Sequence, residues 1–202
     1  MVQIIFVNGN IGAGKETVIL HIKEVLTNKG YKVKIALEPV DLWRETGMLD
    51  KLYKGEYFEF QKFAISSRVD VIYQKYQEAL MEKCDFLFIE TNLLIDLHVY
   101  AKTTLTVSEF NQYIPCWQNE VSLLGFKISN CKNIFLDVPP EVSMSRIATR
   151  SRSEESVIKL TYLRKLYYSH LILNEDIKPV VIQNDCPVYD NQLLKKYISL
   201  LI

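Results

Sequence analysis

The pattern of apolar and polar positions along the chain predicts strands that alternate with helices. Five short apolar runs lack strict alternation, which is typical of parallel strands that are buried on both faces of a sheet. These runs are Val2–Val7, Lys32–Leu37, Phe86–Ile89, Asn133–Leu136 and Val180–Ile182. Because strands that alternate with helices connect through right-handed crossovers, we expect an α/β fold with a doubly wound, five-stranded parallel sheet flanked by helices.

Helical spacing of apolar residues fills the stretches between these strands. Four helices are predicted. The first spans 15–29 and is ended by Gly30, and the second runs from 57 to about 82. The third opens with a capping box of Thr106 and Glu109 and runs to about 124, and the fourth is opened by Pro139 and Pro140. Ligands of such sheets bind beyond the carboxyl ends of the strands. We therefore expect the chemically active residues just after each strand.

Composition narrows the class of protein. The 202 residues suit one domain spanning 1–202, and 24 basic residues balance 24 acidic ones. The balance disfavours a nucleic-acid or membrane-surface partner, which usually needs a basic excess. No apolar stretch approaches the ~18 residues of a membrane span, no leader is evident, and the scattered cysteines and histidines form no metal motif. A cytoplasmic protein is expected.

A glycine-rich loop follows the first strand and precedes the first helix. Its glycines allow a tight turn in which several backbone N–H groups face one anion, and the helix adds its positive N-terminal end. The lysine supplies a point charge for the β- and γ-phosphates of a nucleoside triphosphate. The predicted ATP-binding residues of the loop are Gly9, Asn10, Ile11, Gly12, Ala13, Gly14, Lys15, Glu16 and Thr17.

One position of this loop departs from the usual pattern. After the lysine, a Ser or Thr hydroxyl normally binds Mg²⁺, but this chain has Glu16. Thr17 is one residue further, about 100° around the helix, and is a poor substitute. A carboxylate can bind Mg²⁺, so Glu16 is a candidate metal ligand that also brings negative charge next to the phosphates.

Acidic residues follow the second and third strands. Glu38 lies directly after one strand and before Pro39, where an acid beside a γ-phosphate can take the proton of an attacking hydroxyl. Glu90 ends the apolar run Phe86–Ile89, an arrangement that places a carboxylate near Mg²⁺. An ordinary turn carboxylate at Glu38 and a helix-capping acid at Glu90 are the alternatives.

Three arginines within seven positions, Arg146, Arg150 and Arg152, lie where a helix ends and a polar stretch begins. Arginine forks bind phosphates well, and a loop that closes over a triphosphate would exclude water. A solvated charged turn is the alternative.

Taken together, these motifs resemble the deoxynucleoside kinase family, which includes deoxycytidine, deoxyguanosine and mitochondrial thymidine kinases. The resemblance spans nearly the whole chain and follows the family's order. It rests on residues 9–15, Glu38-Pro39-Val40 with Trp43, Phe60-Gln61, the strand that ends at Glu90, and the segment Arg150-Ser-Arg-Ser-Glu-Glu155. A nucleoside monophosphate kinase shares the fold, but the Glu-Pro-Val and Arg-Ser-Glu-Glu segments fit it less well.

The resemblance implies transfer of the γ-phosphate of ATP, with Mg²⁺, to the 5′-hydroxyl of a deoxynucleoside. It assigns the general base to Glu38, lid functions to Arg150 and Arg152, and a place near the donor nucleotide to Arg146. It also implies substrate contacts: Tyr53 and Glu155 at the sugar 3′-hydroxyl, Trp43 and Gln61 at the base, and the tail 184–187, including Asp185, near the donor adenine.

Base choice can be predicted further. Gln61 and Arg68 are two helical turns apart and share one helix face. Asp96 resembles the acid that deoxycytidine and deoxyguanosine kinases carry in the helix after their third strand. An Arg68–Asp96 pair beside Gln61 favours deoxycytidine or a purine deoxynucleoside; an ordinary interhelical ion pair is the alternative.

Two departures from the family pattern lie close to the predicted reacting centre. The family has Glu-Arg-Ser after its third strand, whereas this chain has Glu90-Thr91-Asn92 and so lacks the arginine. Losing one preorganised charge of this type lowers turnover by around 10²–10³, and Glu16 alters the metal site. A nucleotide-binding homologue with impaired catalysis is therefore the main alternative.

The resemblance also implies a homodimer formed through the helices after the third and fourth strands. Two apolar sets could supply the interface, or could equally be core: Leu93, Leu94, Leu97 and Tyr100, or Leu163, Leu166 and Tyr167.

Overall fold

A computed structural model describes residues 2–185, so residues 186 and 187 of the tail predicted to lie near the donor adenine are outside the described residues. The described chain forms one five-stranded sheet with strand order β2-β3-β1-β4-β5, and every neighbouring pair is parallel. The strands are β1 (Gln3–Gly9), β2 (Val33–Ala36), β3 (Phe86–Glu90), β4 (Lys132–Asp137) and β5 (Val180–Gln183). The predicted α/β fold is confirmed, with strand ends shifted by one or two residues.

The helices between the strands include all four that the sequence predicts. They are α1 (Lys15–Asn28), α2 (Val40–Glu45), α3 (Met48–Lys54), α4 (Tyr57–Met81), α5 (Leu93–Ile95), α6 (Lys102–Thr104), α7 (Val107–Ser122), α8 (Pro140–Arg150) and α9 (Leu160–Ile177). A π-helical turn, Asp96–Ala101, joins α5 to α6. The predicted capping box of Thr106 and Glu109 is present at the start of α7.

Alternate residues of the central strands pack on opposite faces of the sheet. On one face Ile5 and Val7 of β1 pack against α1, and on the other Phe6 packs against α4 and α7. Because both faces are covered, the middle positions of the central strands are apolar on both faces, which explains their lack of alternation. Within residues 2–185, none of the helices combines the length and apolar character that crossing a bilayer requires.

The apolar residues that were candidates for a dimer interface are mostly core. Leu93, Leu97 and Tyr100 are buried within the protomer, and so are Leu163 and Leu166. For these five residues the structure therefore supports the core alternative. Leu94 and Tyr167 are half-buried.

Parallel register brings three strand ends to one edge of the sheet. Val7 of β1 pairs with Glu90 of β3, and Ala36 of β2 pairs with Ile89. The glycine-rich loop after β1, Glu38 after β2 and Glu90 at the end of β3 therefore meet at this edge, as expected for the ligand-binding side of such a sheet.

Candidate active site

A cavity of about 480 Å³ opens at the carboxyl ends of these strands. Fifteen of the predicted site residues line it: Ile11, Gly12, Gly14, Lys15, Glu16, Thr17, Glu38, Trp43, Tyr53, Gln61, Arg68, Glu90, Arg150, Arg152 and Glu155. The remaining predicted residues, Gly9, Asn10, Ala13, Asp96, Arg146 and Asp185, lie outside the lining. The sequence therefore identified most of the cavity wall.

The glycine-rich loop is shaped by its contact with α8. Gly12 has a φ of +78°, and a Cβ there would lie 2.7 Å from the carbonyl oxygen of Ser143. Only glycine combines this left-handed backbone with such a close approach. The loop therefore packs directly on α8 and leads into the N-terminal end of α1, where an anion can bind.

Three side chains fix the glycine-rich loop without lining the cavity. Arg146 donates from Nη1 to the carbonyl oxygen of Ala13 (3.3 Å) and from Nη2 to that of Asn184 (2.6 Å). Asn184 donates from Nδ2 to the same carbonyl of Ala13 (2.8 Å). Asn10 donates to the carbonyl oxygen of Leu163 in α9 (2.9 Å). In this structure Arg146 and Asn10 thus fix the loop rather than face the cavity.

Lys15 lies between the loop and the acidic strand ends. Its Nζ is 3.5 Å from the carbonyl oxygen of Asn10 and 3.9 Å from Oε1 of Glu90. Burial raises the pKa of Glu90 to about 7; the negative charge of Glu38 adds to the rise, and Lys15 opposes it. The Glu90 carboxyl should therefore lose its proton near neutral pH when a cation binds beside it.

Glu38 lies between Glu90 and Arg68. Its backbone N–H donates to Oε2 of Glu90 (3.2 Å), and its Oε1 accepts from Nη2 of Arg68 (2.8 Å). Burial opposes ionisation of this carboxyl, but the charges of Arg68 and Lys15 prevail and hold its pKa below its usual range. Glu38 is therefore an ionised acceptor, only 14% exposed, at the cavity wall.

The predicted contact between Arg68 and Asp96 is present. Nη1 of Arg68 donates to Oδ1 of Asp96, and the Tyr113 hydroxyl donates to Oδ2 of the same carboxylate. The Arg68 guanidinium also lies 4.9 Å from the centre of the Trp43 ring and 5.8 Å from that of Tyr100, within cation–π range. This end of the cavity is a packed set of charged and aromatic side chains.

Gln61 lies beside this set and is almost fully buried. Its Nε2 donates weakly to Oγ1 of Thr104 (3.5 Å), while its Oε1 has no hydrogen-bond partner among the described residues. A buried acceptor left without a donor costs free energy. Because Gln61 lines the cavity, a ligand N–H group there would satisfy it.

The arginine-rich segment after α8 closes one side of the cavity. Both Nε and Nη2 of Arg150 donate to the carboxylate of Glu155, and Nη1 of Arg152 lies 3.8 Å from it. Glu154 accepts from Arg44 of α2 (2.8 Å). In this conformation the predicted lid arginines therefore neutralise Glu155. Burial raises the pKa of nearby Tyr53 to about 12, so its hydroxyl stays protonated.

Side chains that the sequence did not identify support the turn after β3. Asn92 donates from its backbone N–H to Oδ1 of Asn8 (2.8 Å) and from Nδ2 to Oδ1 of Asn133 (2.7 Å). These bonds hold Thr91 at a φ of +67°, which is rare for a β-branched residue. Asparagine is depleted in strands. The available signal was therefore Asn8, directly after the first apolar run, and Asn133, at the start of the fourth.

The site offers donors for a divalent cation without forming a complete cage. Within residues 2–185, no three His, Cys, Asp or Glu side chains cluster as a preformed metal centre. Mg²⁺ at nucleotide sites is held by one or two carboxylates together with phosphate oxygens and water. Glu90, next to Lys15, and the exposed Glu16 at the cavity wall fit that donor set.

Comparison with known proteins agrees with this geometry. The family model described as deoxynucleoside kinase matches residues 5–193. A probable deoxycytidine kinase of fowlpox virus (strain NVSL) is 29% identical over 174 residues, covering 82% of this chain and 69% of the relative. Deoxycytidine kinase 1 of Xenopus laevis is 26% identical (84% and 72% covered), and deoxyadenosine kinase of Dictyostelium discoideum is 26% identical (96% and 77% covered).

Proposed function

The chain belongs to the deoxynucleoside kinase family, and we propose that it transfers the γ-phosphate of ATP to the 5′-hydroxyl of a deoxynucleoside in nucleotide salvage, with deoxycytidine or a purine deoxynucleoside preferred. One observation carries the proposal. A single cavity joins the glycine-rich loop and Lys15 to the ionised Glu38 and, beyond it, to Gln61 and Arg68. A phosphate donor and a base-bearing acceptor can therefore meet at Glu38.

The proposed phosphate transfer follows from the arrangement of these residues along the cavity. The loop N–H groups and Lys15 hold the triphosphate, and Glu38 accepts the proton of the 5′-hydroxyl. The 5′-oxygen forms a bond to the γ-phosphorus while the bond from that phosphorus to the β–γ bridging oxygen breaks, so ADP leaves. Arg150 and Arg152 contact Glu155. In the proposal they leave Glu155 and bind the transferring phosphate when the lid closes.

Mg²⁺ is part of this proposal. When bound with ATP, it would neutralise charge on the β- and γ-phosphates. Glu90 would hold it from the strand end, with Glu16 at the outer side, and Lys15 keeps Glu90 within reach. A carboxylate at position 16 replaces the usual hydroxyl, so this chain would present more negative charge to the metal than a threonine does.

The proposed base preference rests on the Arg68–Asp96 pair, next to the unsatisfied amide at the far end of the cavity. Gln61 needs a donor at Oε1, and an exocyclic amine of cytosine or adenine supplies one. Asp96 is fully buried outside the cavity lining and accepts from Arg68 and Tyr113. In the proposal it acts on the base by holding Arg68 beside Gln61. In the proposal, Trp43 packs against the base, and Tyr53 and Glu155 bind the 3′-hydroxyl.

Two residues favour a second candidate function, a nucleotide-binding homologue with impaired catalysis. Thr91 is 1% exposed and supplies no charge beside Glu90, and Glu16 takes the position of a metal-binding hydroxyl. Such a protein would bind ATP and nucleoside but transfer phosphate slowly.

A substrate panel tests the proposal. Purified protein is incubated with labelled ATP, Mg²⁺ and each of the four deoxynucleosides, and product formation is followed together with binding. We expect transfer, fastest to deoxycytidine or a purine deoxynucleoside. Fastest transfer to thymidine would refute the base preference, and binding of both ligands without transfer would support the second candidate.

The family match over residues 5–193 supports the proposal that the chain is one kinase domain. We further propose that it forms a homodimer, for which the molar mass in solution is the test: twice the monomer mass of 23.5 kDa supports the dimer, and the monomer mass contradicts it.

A further inference from the structure

The carboxylate of Glu38 is held from the base end of the cavity. Nη2 of Arg68 donates to Oε1 of Glu38 at 2.8 Å, while Nη1 of the same guanidinium donates to Asp96. One arginine thus bridges the proposed general base and the acid on which the proposed base preference depends. The predicted role of Arg68 covered only the second of these contacts.

Arg68 is fixed in this bridging position. Its side chain is only 7% exposed, and its guanidinium lies against the rings of Trp43 and Tyr100. Tyr113 donates to the other oxygen of Asp96 and so holds that carboxylate in turn. A planar guanidinium that donates to two carboxylates has a preferred orientation, unlike a lysine ammonium.

The other cationic side chains that line the cavity form their ion pairs with other carboxylates. Lys15 faces Glu90, and Arg150 and Arg152 face Glu155. Thr91, adjacent to Glu90, carries no charge. Among residues 2–185, Arg68 is therefore the one cationic side chain that forms an ion pair with Glu38.

We propose that Arg68 is a positioning residue for Glu38: its guanidinium orients the carboxylate that takes the 5′-hydroxyl proton and, through Asp96, links seating of the nucleobase to that orientation. Arg68 thereby supplies the positive charge that Thr91 does not. This inference rests on the proposed kinase function. It predicts that the charge is present at the reacting centre but comes from α4 instead of the turn after β3.

The consequence is a specific pattern of kinetic effects. If Arg68 served the nucleobase alone, its removal would raise KM for the nucleoside and leave kcat unchanged. If it also positions Glu38, its removal lowers kcat, because the carboxylate loses its preferred orientation. A new arginine at position 91 would then restore kcat without restoring KM.

Four variants test this pattern: Arg68→Met, Thr91→Arg, the double variant of both, and Arg164→Met. We expect Arg68→Met to lower kcat by around 10²-fold and to raise KM for the nucleoside. The double variant should recover at least about tenfold of the lost kcat, with KM still raised. Thr91→Arg alone should change kcat by less than about threefold, since Glu38 already has a guanidinium partner.

Arg164→Met is the matched control. Arg164 pairs with Glu141 at 2.8 Å, but both side chains are about half exposed and lie outside the cavity. Exposed pairs of this kind contribute little, so kcat and KM should equal those of the wild type. A loss of kcat in this control equal to that of Arg68→Met would overturn the assignment.

Two other results would also overturn it. One is a change in KM alone for Arg68→Met. The other is a steep rise in turnover for Thr91→Arg in the presence of Arg68, because it would show that the reacting centre lacks a charge. Arg68→Lys is a second variant in case Arg68→Met does not fold, because it keeps the positive charge. We expect its melting temperature to be near that of the wild type and its kcat to be reduced, since one ammonium cannot donate to both carboxylates in the geometry of a guanidinium.

Crystal structures of the wild type and Arg68→Met separate this inference from the proposed function. If no deoxynucleoside is phosphorylated by the wild type, the function fails, and the structures still decide the contact. We expect the Glu38 carboxylate to turn away from its wild-type position in the variant. An unchanged carboxylate would contradict the positioning role whatever the activity.

Discussion

Binding of Mg²⁺ and ATP should expel a proton from Glu90 near neutral pH. Burial raises the pKa of this carboxyl to about 7, with the charge of Glu38 adding to the rise. The carboxyl is then protonated in about 0.5 of molecules at pH 7, about 0.9 at pH 6 and about 0.1 at pH 8. Because a metal ligand must be deprotonated, these fractions are the numbers of protons released per nucleotide bound.

The same pKa fixes how affinity changes with pH. Below pH 7 each pH unit costs about 1.4 kcal/mol, or tenfold, for removing the proton. The protonated form cannot bind the metal, so affinity is full above pH 7 and falls as pH decreases. We expect the Kd for a Mg²⁺-bound, non-hydrolysable ATP analogue to be about tenfold higher at pH 6 than at pH 8.

Isothermal titration calorimetry in two buffers with different ionisation enthalpies measures the released protons directly. Glu90→Gln is the matched variant, since it keeps the side-chain shape and cannot release a proton. Equal proton release by the wild type and Glu90→Gln would refute this reasoning. So would a Kd independent of pH between 6 and 8.

Three further predictions follow from single residues. In single-turnover assays, Glu38→Gln should lower the rate constant of phosphate transfer by about 10²–10⁴-fold. The Kd for the ATP analogue should stay within about twofold of the wild-type value. An unchanged rate constant would exclude Glu38 as the base. Gly12→Ala should weaken binding of the analogue at least about tenfold, because the new Cβ meets the Ser143 carbonyl. Calorimetry measures the affinity, and circular dichroism checks that the variant folds. Wild-type affinity in this variant would contradict the loop geometry. Burial lowers the pKa of His170 to about 3, so below pH 6.5 the unfolded chain binds a proton that the folded chain does not. Stability should therefore fall by about 1.4 kcal/mol per pH unit from pH 6.5 towards pH 3, and urea unfolding of His170→Leu should lack this part of the slope; the same slope in both proteins would contradict it.

Local signals were enough to predict the sheet and the loop. Buried parallel strands leave continuous apolar runs, and a glycine-rich turn between a strand and a helix has few other structural uses. Glu38 and Glu90 could be placed near each other because the carboxyl ends of parallel strands share one edge. Their protonation could not be predicted, because it depends on burial and on Lys15 and Arg68 as neighbours.

Contacts between distant residues were beyond the sequence pattern. Helical spacing placed Arg68 on the face of Gln61 and suggested Asp96 as its partner, but no periodicity indicates that the same guanidinium reaches Glu38, thirty residues away in sequence. The π-helical turn that carries Asp96 also has no simple sequence signature. Most of the apolar residues considered for a dimer interface are core. Helical periodicity alone could not predict this, because it does not say what covers an apolar face.

The most direct test of the central claim is product analysis after incubation of the purified protein with γ-labelled ATP, Mg²⁺ and deoxycytidine. A kinase that uses this cavity yields labelled deoxycytidine 5′-monophosphate and ADP in equal amounts, and Lys15→Met, which removes the phosphate-binding charge, yields far less. Binding of both ligands to the wild type without labelled monophosphate, or equal product from Lys15→Met, would contradict the account.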